Sequence, residues 1–328
     1  MVTGVGNSGS ACCAAIRCGI NNFTETRFSD GAGNWIVGSE VQLSQPWCGV
    51  EKLGRMLAKV ICDAFDSDPT LPPDTPIVIC TSERDRPGRL PNLHHQLVEV
   101  ADRWVPADLQ ETSWIIAEGR VSGVLAMVEA AKLIYERGHR SVVIADCDSY
   151  LRGATLSAFI RKRRILCPRN SNGFVPGEAA SAMVVTRPQS TERRQLILKG
   201  IGFGVEMAHV ESDEPLRADG LTTAIRGALL DSQTEMATVD FRIADLSGEQ
   251  YSFKEAALAL ARIAREEKET FDIWHPSDCV GEIGAAAVGV AANIAAAGTA
   301  KGYAPGNQIL CHFGNDDGRR AAMVLAYE

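Results

Sequence analysis

Apolar residues along the chain follow two alternating spacings. Short β-branched runs at residues 77–80, 114–117, 141–145, 182–185, 196–198 and 322–325 predict strands. Between them, apolar positions recur at helical spacing over residues 50–65, 93–104, 122–137 and 253–267. Strands that alternate with helices predict a layered α/β fold. The helix that starts at Ser122 is apolar on most of its circumference, and residues 284–297 are apolar all round. A helix with no polar face must lie between two layers. One such helix in each half predicts two related halves that share a central helical layer. The polar, aperiodic stretch 187–194 predicts their boundary, giving halves 1–190 and 191–328.

Composition narrows the picture. At 328 residues and 45% hydrophobic, the chain can build its core without disulfide or metal staples. The net charge of −8 argues against a nucleic-acid partner, which calls for a basic stripe. The one basic run, Arg161 to Arg164, reads as a solvated helix end. The first residues lack the basic and apolar regions of a signal peptide, so a cytoplasmic location is expected. Residues 283–300 carry no charge but consist mostly of Ala and Gly with Asn293 among them, which predicts a closely packed helix and no membrane partner.

The ten cysteines form no CxxC pair and read as reduced, buried thiols. His275 with Cys279, and Cys311 with His312, lack structural zinc spacing, so no metal is expected. His94 and His95 read as surface residues. Gly4-x-Gly6-x-x-Gly9 matches the dinucleotide fingerprint in spacing. However, residues 20–30 are polar and turn-like, and no second buried strand follows. A tight strand-to-helix turn is the simpler expectation, and no cofactor is expected.

Four segments, in order, carry a resemblance to a known family. They are Val2-Thr3-Gly4-Val5-Gly6, Gly119-Arg120-Val121-Ser122-Gly123, Asn172 to Val185, and Val280-Gly281-Glu282-Ile283-Gly284-Ala285-Ala286. Together they resemble the opening strand, nucleophile elbow, Gly-Phe-Val-x-Gly-Glu strand and Gly-His-x-x-Gly-Ala segment of the thiolase-like superfamily, and most closely of its β-ketoacyl synthases. The resemblance implies a five-layer αβαβα sandwich of two pseudo-symmetric halves. It also implies a homodimer, or a ketosynthase-like heterodimer, formed through the strand at residues 112–117. Phe313-Gly314-Asn315 resembles the family's gatekeeper loop.

The departures from the family bear on function. Members carry a cysteine nucleophile backed by two histidines. Alignment on the motifs puts Arg120 at the cysteine, Ser247 at the first histidine and Gly281 at the second. The family's lysine becomes Pro276. A guanidinium stays protonated and cannot attack a thioester. Loss of the two histidines removes the donors that would stabilise the enolate, each worth about 10²–10³ in rate.

A buried Arg120 needs an anionic partner, and Glu118, Glu178 and Glu282 are the candidates. The first expectation is therefore a non-catalytic, ketosynthase-like scaffold or heterodimer partner, with an acyl carrier protein as a further possible partner. The alternatives are an acyltransferase whose nucleophile has moved to Cys279 or Cys311 beside His275 or His312, and a small-anion binder built on Arg120.

Overall fold

The computed structural model describes residues 1–189, 193–266 and 268–328. It divides into two units, Met1–Arg187 with Ser277–Val290, and Pro188–Pro276 with Ala291–Glu328.

The first unit contains strands β1 (Val2–Thr3), β2 (Thr24–Ser29), β3 (Trp35–Gly38), β4 (Ile77–Cys80), β5 (Ser113–Ile116), β6 (Ser141–Ser149) and β7 (Glu178–Thr186). Its helices are α1 (Gly9–Arg17), α2 (Gly49–Ser67), α3 (Leu93–Asp102), α4 (Leu109–Thr112), α5 (Ser122–Tyr135) and α6 (Gly153–Arg161). Five strands form a sheet in the order β1-β7-β6-β4-β5. Strand β4 runs parallel to β5 and β6, whereas β7 is antiparallel to β6 and β1. The run Ile77-Val78-Ile79-Cys80 is fully buried, as expected of a central parallel strand covered on both faces. Helix α2 buries Leu53, Met56, Leu57, Val60, Ile61 and Ala64 at helical spacing, in one core with Ile77, Ile79, Val143 and Ala145.

The second unit contains β8 (Leu196–Val205), β9 (Phe241–Ala244), β10 (Ile273–Trp274), β11 (Gln308–Gly314) and β12 (Arg319–Tyr327), with helices α7 (Asp219–Asp231) and α8 (Gln250–Ile263). Its sheet order is β10-β9-β11-β12-β8. With the hairpin β2–β3 set aside, both sheets run third, second, fourth, fifth, first by position in the chain. The polarities also match, with the first three strands of that order parallel and the last two joined by antiparallel pairings. The two halves thus repeat one topology.

Close packing explains an otherwise weak strand sequence. Gly200, Gly202 and Gly204 of β8 face α7. A Cβ on Gly202 would lie 2.1 Å from the Ala224 carbonyl oxygen. The helix backbone therefore lies directly on the strand.

The chain then passes through α9 (Ser277–Val280) and a tight helical turn at Gly284–Ala286 into α10 (Ala287–Ala300), the small-residue helix. At α10's start, Val288 fills the space over Gly123 of α5.

Three expectations are corrected. Residues 20–30 are not merely a turn, because Thr24–Ser29 pairs with Trp35–Gly38 as an antiparallel hairpin. It was illegible because one face of the strand is exposed and polar. The basic run is not wholly solvated. Arg164 is 6% exposed, with its guanidinium over the rings of Phe159 and Phe174. Helix α8 ends at Ile263, where Ala264 turns extended, and the expected end at Glu267 lies outside the described residues. Part of the predicted boundary, residues 190–192, also lies outside them.

Candidate functional site

The residues singled out at the elbow meet in the first unit. Strand β5 ends at Ile116, and the tight turn Gly119–Val121 leads into α5. Arg120 sits on that turn, 7% exposed, and its Nη1 donates to Glu282 Oε2 at 2.9 Å. The other oxygen of Glu282 accepts from the Gly284 amide at 2.9 Å. Glu282, 3% exposed, thus bridges the elbow and the turn that precedes α10. A cation at a helix N-terminus opposes the helix dipole by about 0.3–1 kcal/mol. The adjacent carboxylate offsets that.

The neighbouring position shows why Glu282 and not Gly281 fills this space. Gly281 has φ +69°. A Cβ there would lie 2.6 Å from the Val175 carbonyl oxygen. The Glu282 amide donates to Val175 at 2.7 Å, and its carbonyl accepts from Gly177 at 2.9 Å. This backbone pairing leaves position 281 no room for a side chain.

A second ion-paired group lies alongside and was missed in the sequence. Arg86 is 7% exposed, pairs with Glu83 and holds Asp148 Oδ2 at 2.8 Å. Asp148 Oδ2 also accepts from the Ala285 amide at 2.9 Å. The Arg86 guanidinium stacks 4.2 Å from the Tyr150 ring centroid. Burial works against the charge on Arg86, but Asp148 and Glu83 outweigh it and hold its pKa above the ordinary arginine range. Burial, opposed by Arg86, pushes the Tyr150 phenol up. Glu83 and Arg86 are three residues apart in one loop, but Asp148 lies near the end of β6, and no local spacing connects it to them.

Glu178 is engaged elsewhere. It forms an ion pair with Lys52, accepts from Ser149 Oγ at 2.8 Å and takes the Val41 amide at 3.0 Å. Burial nevertheless pushes its pKa up against the pull of Lys52. Glu118 is half-buried just before the turn. Ser247 is buried in the second unit.

The alternative thiols have unfavourable surroundings for a nucleophile. Burial, and secondarily Asp278, raises the Cys279 pKa. Burial alone pushes Cys311 up. Cys311 and His312 are consecutive in β11, so their side chains leave opposite faces of the sheet and form no pair. His312 is held neutral, pushed down to about 3 by burial and by Arg242 and Arg320. His275 instead packs edge-on against Phe253. Cys80, close to the elbow, is likewise raised by burial and by Asp146. A thiolate is the attacking form, and each of these environments disfavours it.

Two further motifs resolve structurally. The Gly4–Gly6 segment is a tight turn closed by Thr3–Gly6 backbone hydrogen bonds of 2.9 and 3.2 Å, and Ser8 caps α1. Among the described residues, no three His, Cys, Asp or Glu side chains converge as metal ligands. Among the described residues, no helix is long and apolar enough to cross a membrane.

No family model matches the sequence, and no curated protein matches it. Solved structures do match. The ishigamide ketosynthase/chain length factor superposes with a TM-score of 0.77 at 15% identity, covering 100% of this chain and 97% of that one. A β-ketoacyl synthase from Burkholderia phymatum STM815 gives 0.73 at 14% identity, with 100% and 97% coverage. The ketosynthase ApeO in complex with its chain length factor ApeC, from Xenorhabdus doucetiae, gives 0.73 at 12% identity, with 100% and 96% coverage. The fold is therefore the thiolase-like α/β fold of the β-ketoacyl synthases.

Proposed function

We propose that this chain is a non-catalytic ketosynthase-like protein that acts by binding, as a scaffold or as the partner of a ketosynthase. The observation that carries the reading is the buried Arg120–Glu282 ion pair, at 2.9 Å, on the turn that resembles a nucleophile elbow. On this reading the pair stands in for the nucleophile, and a guanidinium cannot attack a thioester. Among the solved structures of this fold, the ketosynthase ApeO is in complex with its chain length factor ApeC, and in AntDE:AntF a type II acyl-carrier protein is in complex with its ketosynthase. An equivalent partner for this chain fits the edge position of β5, whose residues Ser113 to Ile116 are all half-buried.

The test is intact-mass measurement after incubation with acyl- and malonyl-pantetheine thioesters. The expected mass is unchanged. A stoichiometric acyl adduct, mapped to Cys279, Cys311 or any other thiol, overturns the reading in favour of a relocated nucleophile.

A further inference from the structure

The loop that joins β4 to α3, residues 81–92, gathers cations that the proposed function does not use. Arg86 is held by Glu83 and Asp148. Arg84 and Arg89 flank it in the chain, and His94 follows in the first turn of α3. Among the described residues, Arg84, Arg89 and His94 form no ion pair. Arg89 Nε donates to the Ser82 carbonyl at 3.3 Å, but its Nη2 is buried without a hydrogen-bond partner. His94, which reads from the sequence as a surface residue, is half-buried, and its Nε2 is also buried and unpartnered. Asp85, the loop's other acid, is exposed and pairs with none of them.

The loop is fixed, so the cations cannot simply move apart. The Arg86 amide donates to the Glu83 carbonyl at 3.2 Å, and the Arg89 amide to the Arg86 carbonyl at 3.0 Å. Gly88, at φ +75°, lies directly on the start of α6, where a Cβ would stand 2.4 Å from the Thr155 nitrogen. Arg152 Nη1 donates to the Gly88 carbonyl at 2.5 Å. Burial lowers the Arg89 pKa; Asp148 and Glu83 oppose this, but both already face Arg86, and Arg84 and Arg86 lower it further. Burial, then Arg89 and Arg84, lowers His94. Crowded, partly desolvated cations are costly without an anion among them. The undescribed residues 190–192 follow β7 beyond Thr186, which pairs with Ser141, whereas this loop leaves β4 at Cys80, which pairs with Asp146.

We infer that Arg84, Arg89 and His94 hold a phosphate group, as the free ion or as a phosphate monoester. Two guanidinium forks match phosphate oxygens, and the imidazole Nε2 supplies a further donor. A dianion meets both free arginine charges, whereas a carboxylate carries one charge and leaves the other unmet. The inference does not rest on the proposed function.

Calorimetric titration of the full chain with inorganic phosphate, phenyl phosphate and acetate tests it, at one ionic strength set by chloride and at about pH 7.5, where phosphate is mostly dianionic. At least one of the two phosphates binds saturably, about tenfold or more tighter than acetate, and the tighter of the two identifies the source as free ion or ester. Arg89→Met and Arg84→Met each weaken phosphate binding about tenfold. Arg84 is exposed, so its replacement leaves the fold intact. Arg103→Met removes an exposed charge beyond the other end of α3, paired with Glu99, and leaves binding unchanged. Absence of saturable binding by both phosphates, acetate binding as tightly, or unchanged phosphate affinity in both Arg84→Met and Arg89→Met overturns the inference. So does an equal loss in Arg103→Met, which would mean diffuse attraction to surface charge.

Discussion

At the scale of single residues, buried charge dominates. Glu282→Gln keeps the shape of the side chain but removes the negative charge that Arg120 Nη1 meets at 2.9 Å. The expected cost is about 3–5 kcal/mol of unfolding free energy, the usual penalty for breaking a buried ion pair. Urea denaturation reads it. A change under about 0.5 kcal/mol would mean that Glu282 does not hold Arg120.

Asp146 is a second test. Burial pushes its pKa up to about 7, against the hydrogen bond from Ser181. A carboxyl whose folded pKa exceeds its unfolded value binds more protons when folded. Its contribution to stability is full below about pH 4 and is lost as pH rises through about 7. Unfolding free energy measured from pH 4 to 8 in wild type and Asp146→Asn should show a flatter profile in the variant, which gains relative stability at the alkaline end. Parallel profiles would rule Asp146 out as the source.

At the scale of elements, β8 separates two kinds of exposure. Its glycine face touches the α7 backbone, while Phe203 and Val205 on the other face are 42% and 59% exposed. Gly202→Ala must push α7 off the strand, an overpacking cost of about 1–3 kcal/mol. Val205→Thr should stay within about 0.5 kcal/mol, as surface substitutions do. Thermal or chemical unfolding of the two variants checks the contrast, and equal effects would contradict the packing described for Gly202.

At the scale of the whole molecule, the repeated sheet topology leaves β5 at one edge of the first sheet and β10 at one edge of the second. An unprotected edge is a template for pairing with another chain. If β5 forms the interface, Trp114→Asp should shift the protein toward a smaller species in sedimentation velocity, with the far-ultraviolet spectrum unchanged. An unchanged sedimentation coefficient in a multimeric sample would place the interface elsewhere.

Much of the fold was legible in the chain, because central strands and two-sided helices are dictated locally. The run at β4 is apolar throughout since both faces are covered, and residues 284–297 lack a polar face since most of them are buried. The short strands β1, β9 and β10 carry too few residues for a period, and the hairpin β2–β3 is polar on its open side. At the site, Arg120 and Glu282 could be named from motif positions 162 residues apart. Their pairing could not, and neither could the Glu83–Arg86–Asp148 group beside them. Periodicity and residue chemistry act over a few neighbours, so the sequence alone set which segments are buried and which side chains cannot attack a thioester. Which carboxylate meets which guanidinium depends on where separate turns are brought together, and that was decided by the tertiary structure.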